Sequence, residues 1–109
     1  MKRTEFTFLM EDLFEDCKEL NRKKGKDYAG DEDSLRNFKV SAKSAGITPL
    51  QVWTVFAEKH WHAIMSYVKN GQLESEPIEE RIKDLITYLT LLHGLIKESD
   101  AKETNHKKR

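Results

Sequence analysis

The chain has one cysteine, Cys17, in 109 residues, so it closes no internal disulfide and offers no cysteine-based zinc site. Net charge is absent too. Lysine plus arginine and aspartate plus glutamate stand at 19 each, so no whole-chain field points to a nucleic-acid polymer or a membrane surface. No apolar run reaches the length needed to cross a bilayer. The apolar stretch near the start, Phe6 to Met10, is interrupted by Glu11 and Asp12 and is too short for a secretory signal, which points to the cytoplasm, of a cell or of an infected host. Glycine-rich phosphate loops of the G-x-x-x-x-G-K-[ST] and G-x-G-x-x-G kinds are missing, as is a nucleophile elbow. Any phosphate must therefore be met by side chains and helix ends. Strand-like alternation is missing as well.

What is present is helical periodicity. At 109 residues and 38% hydrophobic content, the expectation is one all-α domain over 1–98, built as a four-helix bundle, with a disordered basic tail over 99–109. The stretch 74–96, ESEPIEERIKDLITYLTLLHGLI, dominates. Ile78, Ile82, Leu85, Ile86, Leu89, Leu92 and Ile96 recur at helical spacing and predict one face turned to a core. Pro77 suits a first turn, and Glu76, Glu79 and Glu80 suit the positive end of the helix dipole. Glu76, Glu80 and Asp84 follow at steps of four beside the apolar stripe, with Arg81 and Tyr88 on the next row. Asp84 lies well inside the helix, where a carboxylate has no capping work.

A first helix is expected over about 4–23, with Phe6, Leu9, Met10, Leu13, Cys17 and Leu20 on one side. Phe8 and Phe14 widen the apolar arc, and Cys17 reads as a small buried apolar residue. The segment 23–33, KKGKDYAGDED, reads as a loop, in which Lys24, Lys26 and Tyr28 could meet a phosphate and a base or simply form a solvated connection. In 34–46, SLRNFKVSAKSAG, Asp33 or Ser34 caps a shorter helix and Gly46 ends it. Leu35, Phe38 and Ala42 face inward; Arg36, Lys39 and Lys43 form an outer basic row, with Asn37 placed to touch a ligand or a neighbour. Thr48-Pro49-Leu50-Gln51 is a capping box that opens a helix running to Asn70. Trp53, Phe56, Ala57, His60, Ala63, Ile64 and Tyr67 make its buried side. Lys59 and His60, within reach of Glu80 and Asp84 on the next helix, predict a polar pocket between two apolar helices. Glu58 and His62 stand four apart and could share a metal. The wide apolar faces predict a homo-oligomer.

The succession KDYAGDEDSLRNF, then ITPLQVWTVFAEKHWHAI, then EPIEERIKDLITYL resembles small, mostly phage-borne domains akin to the MazG-like all-α nucleotide pyrophosphohydrolases. The likeness spans roughly 23–96. It implies an all-α fold assembling as dimers or tetramers, a nucleotide pocket between helices, and Mg²⁺ held by carboxylates from two adjacent helices. Asp84 stands where the family's helix-borne aspartate stands, with Glu80 or Glu76 as acidic companion at a spacing of four rather than three. The preceding helix departs from the pattern: Glu58-Lys59-His60-Trp61-His62 supplies one carboxylate where active members place two glutamates.

Three readings follow. The chain binds a phosphorylated nucleotide, and as a phage-type protein could sequester a nucleotide second messenger of host immunity. Lys26, Arg36, Lys39, Lys59 and His60 would then meet phosphates, Tyr28, Phe38 or Trp61 would stack on a base, and Asn37, Arg81 and Tyr88 would complete the site. Alternatively it is a Mg²⁺-dependent nucleoside-triphosphate pyrophosphohydrolase, with Glu58, Glu80 and Asp84 on the ion and Lys59 steadying developing charge. The third reading is a helical interaction module with no small ligand.

Overall fold

Four helices and the turns between them make up the protein in a computed structural model, which describes residues 1–28, 33–72 and 76–107, the side chains of 25–28 and 103–107 excepted. They are α1 (Arg3–Tyr28), α2 (Arg36–Ala45), α3 (Pro49–Asn70) and α4 (Ile78–Lys107), and no strand occurs among the described residues. The all-helical expectation holds. No described helix is long and apolar enough to cross a membrane.

Local chemistry sets the boundaries. Asp33 Oδ1 accepts the backbone N–H of Leu35 at 2.9 Å, folding the chain into α2. At the other end Gly46 takes the left-handed conformation (φ 71°) that a side chain disfavours, and its N–H returns to the Ala42 carbonyl. Thr48 and Gln51 form the reciprocal capping box: Gln51 N–H donates to Thr48 Oγ1 at 3.1 Å, and Thr48 N–H donates to Gln51 Oε1 at 2.9 Å. Pro49 occupies the first turn of α3, and Gly71 (φ 78°) closes that helix. Pro77 stands just ahead of α4 rather than within it, its carbonyl accepting the Glu80 N–H at 3.1 Å.

Two segments differ from expectation. α1 does not stop at Lys23 but continues to Tyr28, because Gly25 alone costs about 1 kcal/mol in a helix and does not break one. α4 continues past Ile96 to Lys107, where neither proline nor a left-handed glycine intervenes, so the stretch read as a tail from 99 begins inside this helix. Glu74, part of the stretch read as a helix start, lies outside the described residues.

The core sits where α2, α3 and α4 meet. Leu35, Phe38 and Ala42 of α2 are buried as expected, together with Val52 of α3 and Leu95 of α4. Trp53, Phe56, Tyr88 and Leu91 pack around them half-buried. Phe38 meets Phe56 at a 5.8 Å ring separation and Tyr88 edge-on at 6.3 Å. The Trp53 indole N–H donates to the Tyr88 carbonyl at 2.6 Å, tying α3 to α4.

α1 stands apart from this core. Of its apolar stripe only Cys17 is buried; Leu13 and Leu20 are half-buried, and Phe6, Leu9, Met10 and Phe14 are exposed. On α4, likewise, Ile82, Leu89 and Ile96 are exposed although they belong to the stripe expected to face inward. The physical reason is that α1 lies against α4 alone, so four helical faces are not closed around one center. The radius of gyration, 16.7 Å, exceeds the roughly 13 Å of a compact domain of this length.

This division predicts unequal responses to truncation. Phe38→Ala should cost about 3–5 kcal/mol in urea unfolding, whereas Phe8→Ala, at a residue 65% exposed, should stay within about 0.5 kcal/mol. Equal losses at both positions would contradict the placement of the core.

Candidate functional site

The polar side chains that the sequence could not hide on apolar helices converge at the seam between α3 and α4. His60, about three turns from either end of α3, projects into this seam and is 6% exposed, the one buried polar residue among those described. Its Nδ1 lies 3.7 Å from Asp84 Oδ2, beyond hydrogen-bond distance, and has no hydrogen-bond partner among the described residues. Its ring packs on the Tyr88 ring at 4.8 Å. Desolvation by burial is the main force on the imidazole and lowers its pKa; Asp84 opposes this, while Lys59 and Arg81 add to it.

Asp84, largely covered, faces His60 with one oxygen and Lys24 with the other, whose Nζ comes within 3.7 Å. Arg81, one turn before, is largely covered as well. Its Nε lies 3.3 Å from Glu76 Oε2 without the alignment a hydrogen bond needs, and this buried N–H has no other partner among the described residues. Lys83 reaches Asp16 of α1 at 3.7 Å and Glu80 at 3.6 Å. Tyr88 is held at its backbone by Trp53, and burial, then Asp84, raises the pKa of its phenol.

His60, Asp84, Tyr88 and Arg81 are thus gathered at one seam, and the charge of exposed Lys59 is felt there. Other candidates lie elsewhere. Lys39 is engaged by two carboxylates, Asp33 at 2.8 Å and Glu98 at 3.0 Å, clasping the start of α2 to α4. The hydrogen bond to Asp33 leads the forces that raise its pKa. Arg36 and Asn37 are exposed on α2, and no described contact links them to His60 or Asp84. Glu58 pairs with His62 at 3.6 Å on the exposed side of α3. Glu58, Glu80 and Asp84 do not form a metal cage, and among the described residues no three acidic, histidine or cysteine side chains do. Lys26 and Tyr28 have side chains outside the described residues.

Lys24 is the member the sequence reading assigned to a loop. Its signal was available: Cys17, Leu20 and Lys24 fall at i, i+3 and i+7, one stripe of a helix that continues. Cys17 itself is buried over the Lys83 carbonyl, and burial raises its thiol pKa, which makes it a packing residue.

No protein-family model, curated protein or solved structure matches this chain.

The His60 environment fixes a pH dependence. A histidine whose folded pKa lies below its unfolded value near 6.5 takes up its proton more readily when unfolded. Its contribution to stability is full above that pH and is lost as pH falls through 6.5 toward the lowered folded value. Urea midpoints should therefore decline from pH 7.5 to pH 5, and His60→Gln should flatten that decline. An unchanged pH slope in His60→Gln would show that other groups cause it.

Proposed function

We propose that the protein binds a phosphorylated nucleotide at the α3–α4 seam and holds it without needing to cut it. One observation carries this reading: two polar atoms of the seam, His60 Nδ1 beside Asp84 and Arg81 Nε near Glu76, are buried without hydrogen-bond partners among the described residues. Unpaired buried polar groups are costly and rare in folded proteins, and a ligand with acceptor oxygens would satisfy a guanidinium N–H directly. The cations nearby, Lys24 and Lys59, suit phosphates, and the half-buried Tyr88 offers an aromatic surface beside them. Neutral His60 can donate or accept at Nδ1, according to its tautomer.

The binding reading asks less of the residues than hydrolysis does. A pyrophosphohydrolase center built on Glu58, Glu80 and Asp84 requires three carboxylates on one ion, and Glu58 faces away with His62. Asp84 with Glu80 suits instead a Mg²⁺ that arrives on the phosphates and keeps most of its waters. Sequestration of a nucleotide messenger, linear or cyclic, is the cellular role that fits such a site.

Incubation with a panel of linear and cyclic nucleotides, with and without Mg²⁺, followed by denaturation and chromatography, tests this. The expected result is depletion from solution and recovery of intact ligand. Arg81→Met should weaken binding about tenfold or more. Recovery of monophosphate and pyrophosphate would assign hydrolysis instead, and no depletion by any nucleotide would overturn the reading.

A further inference from the structure

Ile86, Thr90 and Gly94 follow at steps of four along α4, on a side of the helix that the seam residues Arg81, Asp84 and Tyr88 do not use. That side and α1 border an apolar groove of about 890 Å³, within the roughly 300–1,000 Å³ typical of small-molecule sites. Buried Cys17 and Leu35 and half-buried Ile86 wall it. The Thr87 hydroxyl donates to the Lys83 carbonyl at 3.1 Å and the Thr90 hydroxyl to the Ile86 carbonyl at 2.9 Å, so both protons are spent within α4. The wall carries Lys18 and His93 but no carboxylate. The only described partner of Lys18 is Glu15 at 3.8 Å, with both side chains in solvent, a contact worth little. Gly94 sits inside α4, where glycine is less favorable than alanine. A Cβ there would meet the two Cδ atoms of Leu35 at 3.8 Å, an ordinary contact, and its φ is not positive, so neither packing nor backbone requires glycine. What glycine supplies is an open wall that a longer side chain would fill.

We infer that this groove binds a free long-chain carboxylate, with the alkyl chain along Cys17, Leu35, Ile86 and the gap at Gly94, and the head group met by Lys18 and Asn21. Those two residues stand three apart on α1, which makes them neighbors on one face, and both are exposed at the groove. An alkyl chain has no polar group along its length. It therefore asks nothing of a wall whose hydroxyl protons are already spent, and its burial removes apolar surface from water. A peptide would bring N–H and C=O groups that need partners the wall does not offer. A cationic amphiphile would meet Lys18 with no carboxylate to offset it. Phe14 from α1 and Leu89 from α4, both exposed apolar side chains on the groove, gain cover from such a chain. The groove shares no residue with the seam, so carboxylate binding and nucleotide binding are independent of one another.

Isothermal titration of the full chain with dodecanoate, kept below its micelle-forming concentration, tests this. Saturable binding is expected, with dodecylammonium held at least about tenfold more weakly. Lys18→Glu, a change at an exposed position, should raise the dodecanoate Kd about tenfold or more, the scale of a lost charge-assisted contact. Lys43→Glu makes the same change of charge at the far end of α2 and should leave that Kd unaltered. Gly94→Leu, which fills the gap, should weaken binding far more than Gly94→Ala does, with helical circular dichroism retained. If Gly94→Leu loses its fold, the contrast between Lys18→Glu and Lys43→Glu still decides. A doxyl-labeled stearate should broaden the methyl resonances of Leu35 and Ile86 first. No saturable binding of dodecanoate, equal affinity for dodecylammonium, or the same Kd in Lys18→Glu and Lys43→Glu would overturn the inference. So would binding to phosphatidylcholine vesicles with none to dodecanoate in solution.

Discussion

Burying an imidazole between two apolar helices is the constraint on which the rest of this structure depends. His60 occupies a position on α3 that a leucine could fill, and its presence obliges α4 to bring polar groups to the same level. Asp84 does so from inside a helix, where a carboxylate disrupts an otherwise apolar face, and Tyr88 one turn later covers the ring. The seam is then fixed by the Trp53 indole, whose hydrogen bond to the Tyr88 carbonyl locks the register of α3 on α4. α2 lays Phe38 against Phe56 and Tyr88, so the small core and the polar seam share Tyr88 and stand or fall together.

Charge distributes the remaining roles. The 19 cations and 19 anions are not spread evenly over the functional surface. Lys39 is spent between Asp33 and Glu98, where it joins α2 to the far part of α4. Arg22 is committed to Glu19 within α1 at 2.6 Å. The cations left around Asp84 are Lys24 from α1, Arg81 from its own helix and Lys59 through its field on His60, so three helices supply the seam. That convergence gives α1, which contributes little to the core, a reason to lie where it does.

Much of this was legible in the residues and some was not, for physical reasons that differ by element. The capping box at Thr48 and Gln51 and the left-handed Gly46 and Gly71 are local signals, read within a turn of where they act, and they mark α2 and α3 closely. The inward residues of α2 were equally plain, because a ten-residue helix with a strong apolar side has one way to lie. The closeness of His60 to Asp84 was legible from the spacing that puts both at the facing sides of α3 and α4, although they stand 3.7 Å apart and do not satisfy each other. What periodicity could not tell is which apolar stripe finds a partner within the chain. Phe6, Leu9, Met10, Ile82 and Leu89 carry the same spacing as the buried residues and yet stay exposed, since spacing defines a face and not what covers it. The end of α1 was hidden by Gly25 and a charge cluster, both of which a long helix tolerates.

The proposal that His60 Nδ1 and Arg81 Nε, both without partners among the described residues, belong to a nucleotide-binding site is addressed most directly by heteronuclear NMR during titration with the nucleotide that the chain retains. The account predicts that the His60 ring resonances and the Arg81 Nε–H move first and furthest, with Tyr88 following. Shifts confined to Arg36, Lys43 and the exposed face of α2, with His60 and Arg81 unmoved, would contradict it.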